Sequence, residues 1–133
     1  MNPKQIGEIS EGMILGRLLL AGKTVLQPFG DNQRYDLVID EDGTFVRVQC
    51  KAGHVHNGVV RFNTCSTDRT TGKAKGYAGQ ADVFAVFCAL LNKMYLVPVE
   101  DVPNTRAHLR LVEPKNGQSK GIRLASTYEF PPM

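Results

Sequence analysis

Glu11, Asp36, Gln49 and Lys51 are the side chains whose types and spacing suggest chemistry. Asp36 lies in an apolar stretch, Tyr35 to Asp40, and Gln49 and Lys51 in a second, Thr44 to Lys51. Glu41-Asp42-Gly43 lies between them with the composition of a tight hairpin turn. On a strand, a spacing of two puts Gln49 and Lys51 on one face, and the hairpin brings Asp36 beside them. The oxygens of Asp36, Gln49, Glu11 and the Cys50 backbone carbonyl suit a hard divalent ion, Mg2+ or Mn2+. A lysine among them suits an attacking water and the charge that develops on a phosphate. The plainer readings are that Asp36 merely begins a strand, that Lys51 is a solvated strand end, and that Glu11 is a surface acid with Glu8 as its rival.

The elements that must position these groups follow from local patterns. Asn2-Pro3-Lys4-Gln5 combines a capping residue, a proline suited to the first helical position and a glutamine able to close a capping box. The pattern predicts a helix from Pro3 to Ala21, ended by Gly22. Ile6, Ile9, Met13 and Leu20 share one side of it, widened by Leu15, Leu18 and Leu19, and Glu11 lies between the azimuths of Leu15 and Leu18. An acid on an apolar arc needs compensation. The Gly12-x-x-x-Gly16 pair reads as close packing on a sheet or as a subunit contact. Strands are expected at 24–26, 35–40, 44–51, 59–62 and 108–112. Residues 83–90 and 94–99 read as a central hairpin buried on both faces. Residues 63–80 read as a long polar loop, 114–121 as another, and 122–130 as a short element. Alternation makes Leu37, Ile39, Val46, Val48 and Cys50 a greasy sheet face, with Asp36, Gln49 and Lys51 on the opposite one.

The chain of 133 residues is one domain's worth, with an ordinary globular balance of 42% apolar and 22% charged residues. Three scattered cysteines, Cys50, Cys65 and Cys88, argue against a disulfide framework and for a reducing compartment. The start carries no basic-then-apolar leader pattern and no apolar run reaches membrane length, so a soluble, cytoplasmic chain is expected. The net charge is +3, but residues 43–80 carry Arg47, Lys51, Arg61, Arg69, Lys73 and Lys75 against Asp68 alone. Residues 104–123 carry five bases against Glu113. Two basic stretches on an otherwise acidic chain fit a polyanion partner such as DNA, with a solvated basic face as the alternative. Arg47, Arg61, Arg69, Lys73 and Lys75 are the candidate backbone contacts. Cys50, His54, His56 and Cys65 match no common zinc spacing.

The helix pattern Gly7-x-x-x-Glu11-x-x-x-Leu15-x-x-x-Leu19-x-x-Gly22-x-x-Val25, the Asp36-Leu37-Val38 strand and Gln49-Cys50-Lys51 together resemble the PD-(D/E)XK nucleases. Within that superfamily the chain looks most like intron-encoded homing endonucleases of the restriction-enzyme fold, and it also resembles archaeal-type Holliday-junction resolvases. Asp82-Val83-Phe84-Ala85-Val86 and Tyr95-Leu96-Val97-Pro98 extend the likeness toward the homing group. Tyr35 stands where the family name places proline, and Gln49 where it places an acid, which removes one negative charge from the metal site. The resemblance implies a single α/β domain over residues 1–133: a restriction-endonuclease-like core with the N-terminal helix packed on a mixed, mainly antiparallel sheet. It implies a DNA endonuclease using Mg2+ or Mn2+, with Glu11, Asp36, Gln49 and the Cys50 carbonyl as ligands and Lys51 as the catalytic cation. Cutting both strands with one small site per chain implies a homo-oligomer, a dimer or tetramer. A resolvase, and a non-catalytic DNA-binding or assembly module on the same fold, are the alternatives.

Overall fold

The structure, a computed structural model, describes residues 1–115, 117 and 121–131. Of the polar segment 114–121, residues 116 and 118–120, including Lys120, lie outside the described residues.

Helix α1 (Pro3–Leu20) begins as its sequence predicts, with Asn2 and Gln5 exchanging the two hydrogen bonds of a capping box. It is followed by β1 (Thr24–Leu26), β2 (Leu37–Glu41), β3 (Thr44–His56) and β4 (Val59–Asn63). Next come β5 (Cys65–Thr67), β6 (Ala74–Gly76), β7 (Val83–Cys88), β8 (Lys93–Pro98) and a 3-10 turn at Val99–Asp101. The chain finishes with β9 (Arg106–Arg110), α2 (Ala125–Tyr128) and β10 (Glu129–Phe130). The main sheet runs β1-β2-β3-β7-β8-β10, with β4 branching from β3 and β9 pairing with β4. Only β3 and β7 pair in parallel among these, so the sheet is mixed and mainly antiparallel, as expected.

Four expectations are corrected. The buried stripe of α1 is Ser10, Ile14 and Leu18, with Glu11 and Leu15 at its margin; Ile9, Met13, Leu19 and Leu20 are exposed, Leu20 at 89%. Apolar residues surround this helix, so periodicity does not single out the face that packs. Gly12 and Gly16 have no neighbour within 4 Å of where a Cβ would stand, so they make no close contact with the sheet. The β7–β8 hairpin is buried on both faces as expected, with one core under α1 (Ile14, Leu18, Leu37, Val48, Ala85, Phe87) and a second on the far side built around Phe62, Phe84, Val86 and Leu109, so the sheet does not have the one greasy and one polar face expected of it. The face that carries Gln49 and Lys51 is therefore continuous with a core, because their partners on β7 are Phe84 and Val86. Finally, residues 63–80 contain the small hairpin β5–β6, whose turn is tied by Asp68 accepting from the Thr70 and Thr71 N–H groups. Its strands are short and polar, which is why they carry no alternating signal.

β3 is longer than its apolar pattern suggested, and its length organises the domain. It pairs with β2 through Val48, with β7 from Val48 to Gly53, and with β4 from His54 to His56. β2 thus leaves it after Val48 and β7 after Gly53, where β4 takes over. A Cβ at Gly53 would stand 2.8 Å from a Val60 methyl and 2.9 Å from a Val86 methyl, closer than carbons can approach. Gly53→Ala is expected to destabilise the domain by about 1–3 kcal/mol through overpacking, read as a lower midpoint in urea unfolding. An unchanged midpoint would show that β3 is not pinned there.

Candidate active site

The site forms where β2 stops and β3 continues. The Asp36 N–H donates to the Val48 carbonyl at 2.8 Å, the last backbone rung between the strands. The next donor on that edge of β3, the Cys50 N–H, is taken by the Asp36 carboxylate (Oδ2, 2.8 Å). N–H and C=O of one strand residue point to the same edge, so the Cys50 carbonyl also opens into this fork. On the far face, the Gln49 side chain donates from Nε2 to the Arg34 carbonyl at 3.0 Å. A carbonyl can only accept, which fixes the amide orientation and leaves the Gln49 oxygen as the atom available to a ligand.

Glu11 reaches the fork from α1, where it borders the buried stripe as its azimuth predicted. Glu11 and Asp36 line one cleft of about 320 Å³ together with Tyr35 and the 27–33 loop. Burial raises the Asp36 carboxyl above the usual carboxylate range, opposed by the Cys50 N–H and by Lys51. Burial also raises Glu11, and the neighbouring Asp36 charge pushes it the same way. The Cys50 thiol, half-buried and facing both acids, is pushed up as well and stays protonated. Two partly desolvated carboxylates that repel one another are the donor set a divalent cation relieves. Among the described residues, no group of three or more His, Cys, Asp and Glu converges on one point.

Lys51 is held from the side opposite the acids. Its ammonium lies 3.4 Å from the Tyr77 hydroxyl, 3.5 Å from the Cys65 carbonyl and 5.0 Å from the centre of the Tyr77 ring. Tyr77, only 4% exposed, meets Phe84 edge-on at 5.6 Å. Arg34 stacks over the same ring at 4.0 Å and donates to the Gln80 side chain, the Ser66 hydroxyl and the Lys75 and Gly76 carbonyls. Asp36 itself lies just before β2, one residue outside the strand expected to contain it; one arginine therefore ties the β5–β6 hairpin to the segment leading into β2, and one tyrosine carries both cations. Neither Arg34 nor Tyr77 was found from the sequence, since Arg34 acts on side chains and carbonyls at least 32 residues away and Tyr77 meets Lys51 across 26; an arginine directly before the Tyr35-Asp36 pair was the only available signal.

The candidate DNA contacts are dispersed. Arg47 forms a two-pronged pair with Asp82 (3.0 and 3.1 Å) and also donates to the Gly79 carbonyl, so its charge is matched internally. Arg69, Lys73 and Lys75 are exposed on the β5–β6 hairpin and its turn. Arg61 lies on β4, and His54 and His56 on the end of β3. No helix among the described residues is long and apolar enough to cross a membrane.

Compared with the profiles of known families, residues 1–131 match the family described as PD-(D/E)XK endonuclease. No curated protein matches the sequence. Among solved structures, the fold is similar to that of a bacterial homing endonuclease, I-Ssp6803I, with a TM-score of 0.69 and 24% identity over 96% of this chain and 86% of the other.

Because its folded-state pKa is raised, Asp36 costs the metal-free protein nothing below the carboxylate range of an unfolded chain, ~3.9, and costs it stability as pH rises through the folded value. Asp36→Asn keeps an acceptor for the Cys50 N–H and removes the charge. In divalent-free buffer it should unfold a few degrees above the native protein at neutral pH, with the gap closing as the pH falls toward 4. A variant less stable than native at neutral pH would contradict the assignment.

Proposed function

Because the chain belongs to the PD-(D/E)XK endonuclease family, we propose that it hydrolyses phosphodiester bonds of DNA at the fork between β2 and β3, in the manner of a homing endonuclease. The observation that carries this reading is the juxtaposition of the Glu11 and Asp36 carboxylates, both pushed toward protonation, with Lys51 beside them. Glu11, Asp36, the Gln49 side-chain oxygen and the Cys50 carbonyl would hold Mg2+ or Mn2+, which when bound supplies positive charge to the phosphate and to water. Asp36 is kept as an acceptor by the Cys50 N–H and cannot turn away without breaking that bond. Gln49 is oriented by Arg34. Lys51, loosely held by Tyr77 and the Cys65 carbonyl, keeps donor capacity for a water or a phosphate oxygen, and its charge faces the same negative centre. Arg61, Arg69, Lys73 and Lys75 are left for the DNA backbone.

The chain works as a homo-oligomer in this reading. One compact site per chain cuts one strand, and α1 leaves Ile9, Met13 and Leu20 exposed beside Gly12 and Gly16. A groove of about 660 Å³ along Met13, Gly16, Leu20 and Pro131 supports this reading as a mainly apolar surface that a second copy would cover.

With Mg2+ or Mn2+ the purified protein is expected to nick or cut DNA. Asp36→Ala and Lys51→Ala, each folded by circular dichroism, should lose at least ~100-fold in rate. Cleavage at the native rate by both variants would overturn the assignment. Salt-sensitive DNA binding with no metal-dependent cleavage of duplex, junction or intron-site substrates would instead identify a binding module that has kept the fold.

A further inference from the structure

β4 and β9 pair antiparallel, and this brings together the two basic stretches that are separate in the sequence. The register places His54 opposite Arg61 and Arg61 opposite His108, so three strands contribute one row. His56, Val59 and Arg110 form the row beside it, and Asn63 pairs with Arg106 on the other side. Direct partners in an antiparallel ladder share a face. The intervening residues Val60, Phe62, Ala107 and Leu109 are buried in the second core, so these rows point outward. The outer face of the β3–β4–β9 layer thus carries all three histidines of the chain and three arginines, and its strand residues include no acid. None of the six is in an ion pair among the described residues, in contrast to Arg47. The face is continuous with the candidate active site: a cleft of about 360 Å³ is lined by Lys51, His54, Arg61, Asn63, Cys65 and Arg106.

We infer that this outer face seats the DNA backbone flanking the phosphate to be cut, with Arg61 and Arg106 gripping the phosphates next to Lys51 and Arg110 extending the track. The inference rests on the nuclease reading. It assigns the principal backbone contact to a sheet face built from both basic stretches, rather than to the β5–β6 hairpin. Unpaired cations arranged at strand spacing, with no acid among them, complement a polyanion. Their direct connection to Lys51 selects the strand being cut over some distant segment. Arginine and histidine dominate this face, with Val59 the one aliphatic side chain in the named rows, and such a face suits sugar-phosphate contact, which positions the duplex without reading its sequence.

The test is binding of a fluorescently labelled mixed-sequence duplex by the full chain without divalent metal, as salt is raised. Each phosphate contact contributes about 0.9 to the slope of log affinity against log salt. The triple variant Arg61→Gln, Arg106→Gln, Arg110→Gln should flatten the slope by about 2–3 and weaken binding at least ~30-fold at low salt. The charge-retaining triple lysine variant should keep the native slope. An unchanged slope in the glutamine variant overturns the inference, and so does an equal loss in the lysine variant, which would mean a structural role. A flattened slope in a protein whose native form never cleaves would keep this surface and overturn the nuclease reading, so the two failures are distinct.

Discussion

The bond from the Cys50 N–H to the Asp36 carboxylate determines what the rest of the domain must do. A strand whose neighbour ends leaves unsatisfied donors and acceptors along its edge, and burying them unpaired is expensive. Here the first donor beyond the end of β2 is taken by a side chain. The chain before Asp36 turns away toward the β5–β6 hairpin, held there by Arg34 on the Tyr77 ring. Gln49 bridges the gap that opens by donating to the Arg34 carbonyl. Side-chain bonds thus replace the ladder and hold the fork open. β3 can be left by β2 at this point only because β7 supports its other edge through Gly53 and α1 covers its face.

The fork carries an electrostatic cost. Asp36 and Glu11 are both drawn toward their protonated forms by burial, Glu11 further by the Asp36 charge, while the Cys50 N–H and Lys51 oppose the shift at Asp36. A third carboxylate in the position of Gln49 would add to that repulsion in the empty site and would strengthen attraction for a divalent cation. The amide lowers both, and it adds a donor that the fork uses to fix Arg34. In the proposed metal site, Gln49 would be a compromise between holding the geometry of the fork and holding the ion. Its neutral head also explains why Lys51 needs no close acid on its own side and can rest on the dipoles of Tyr77 and Cys65.

What could be read in the sequence was what local periodicity controls. The capping box of α1, the Asp36 and Gln49–Lys51 strands and the β7–β8 hairpin each follow from patterns within about ten residues. The packed face of α1 did not, because Ile9, Met13 and Leu20 compete with Ile14 and Leu18 and only tertiary packing decides between them. The polar strands of the β5–β6 hairpin have no core to alternate against. Arg34 and Tyr77 act over long sequence separations, and nothing near either residue announces the other. The two basic stretches were visible as composition, whereas their union on one surface is a property of the β4–β9 pairing.

The central claim is that two carboxylates and an amide oxygen at this fork make a divalent-ion site. Calorimetric titration of Mn2+ into the DNA-free protein tests it most directly, comparing native chain, Asp36→Asn and Gln49→Glu. Binding should be lost or weakened in Asp36→Asn and tightened about tenfold or more in Gln49→Glu, the ~1.4 kcal/mol that one added charged ligand can supply. Identical Mn2+ affinity in all three proteins would contradict it and would place any metal away from the end of β2.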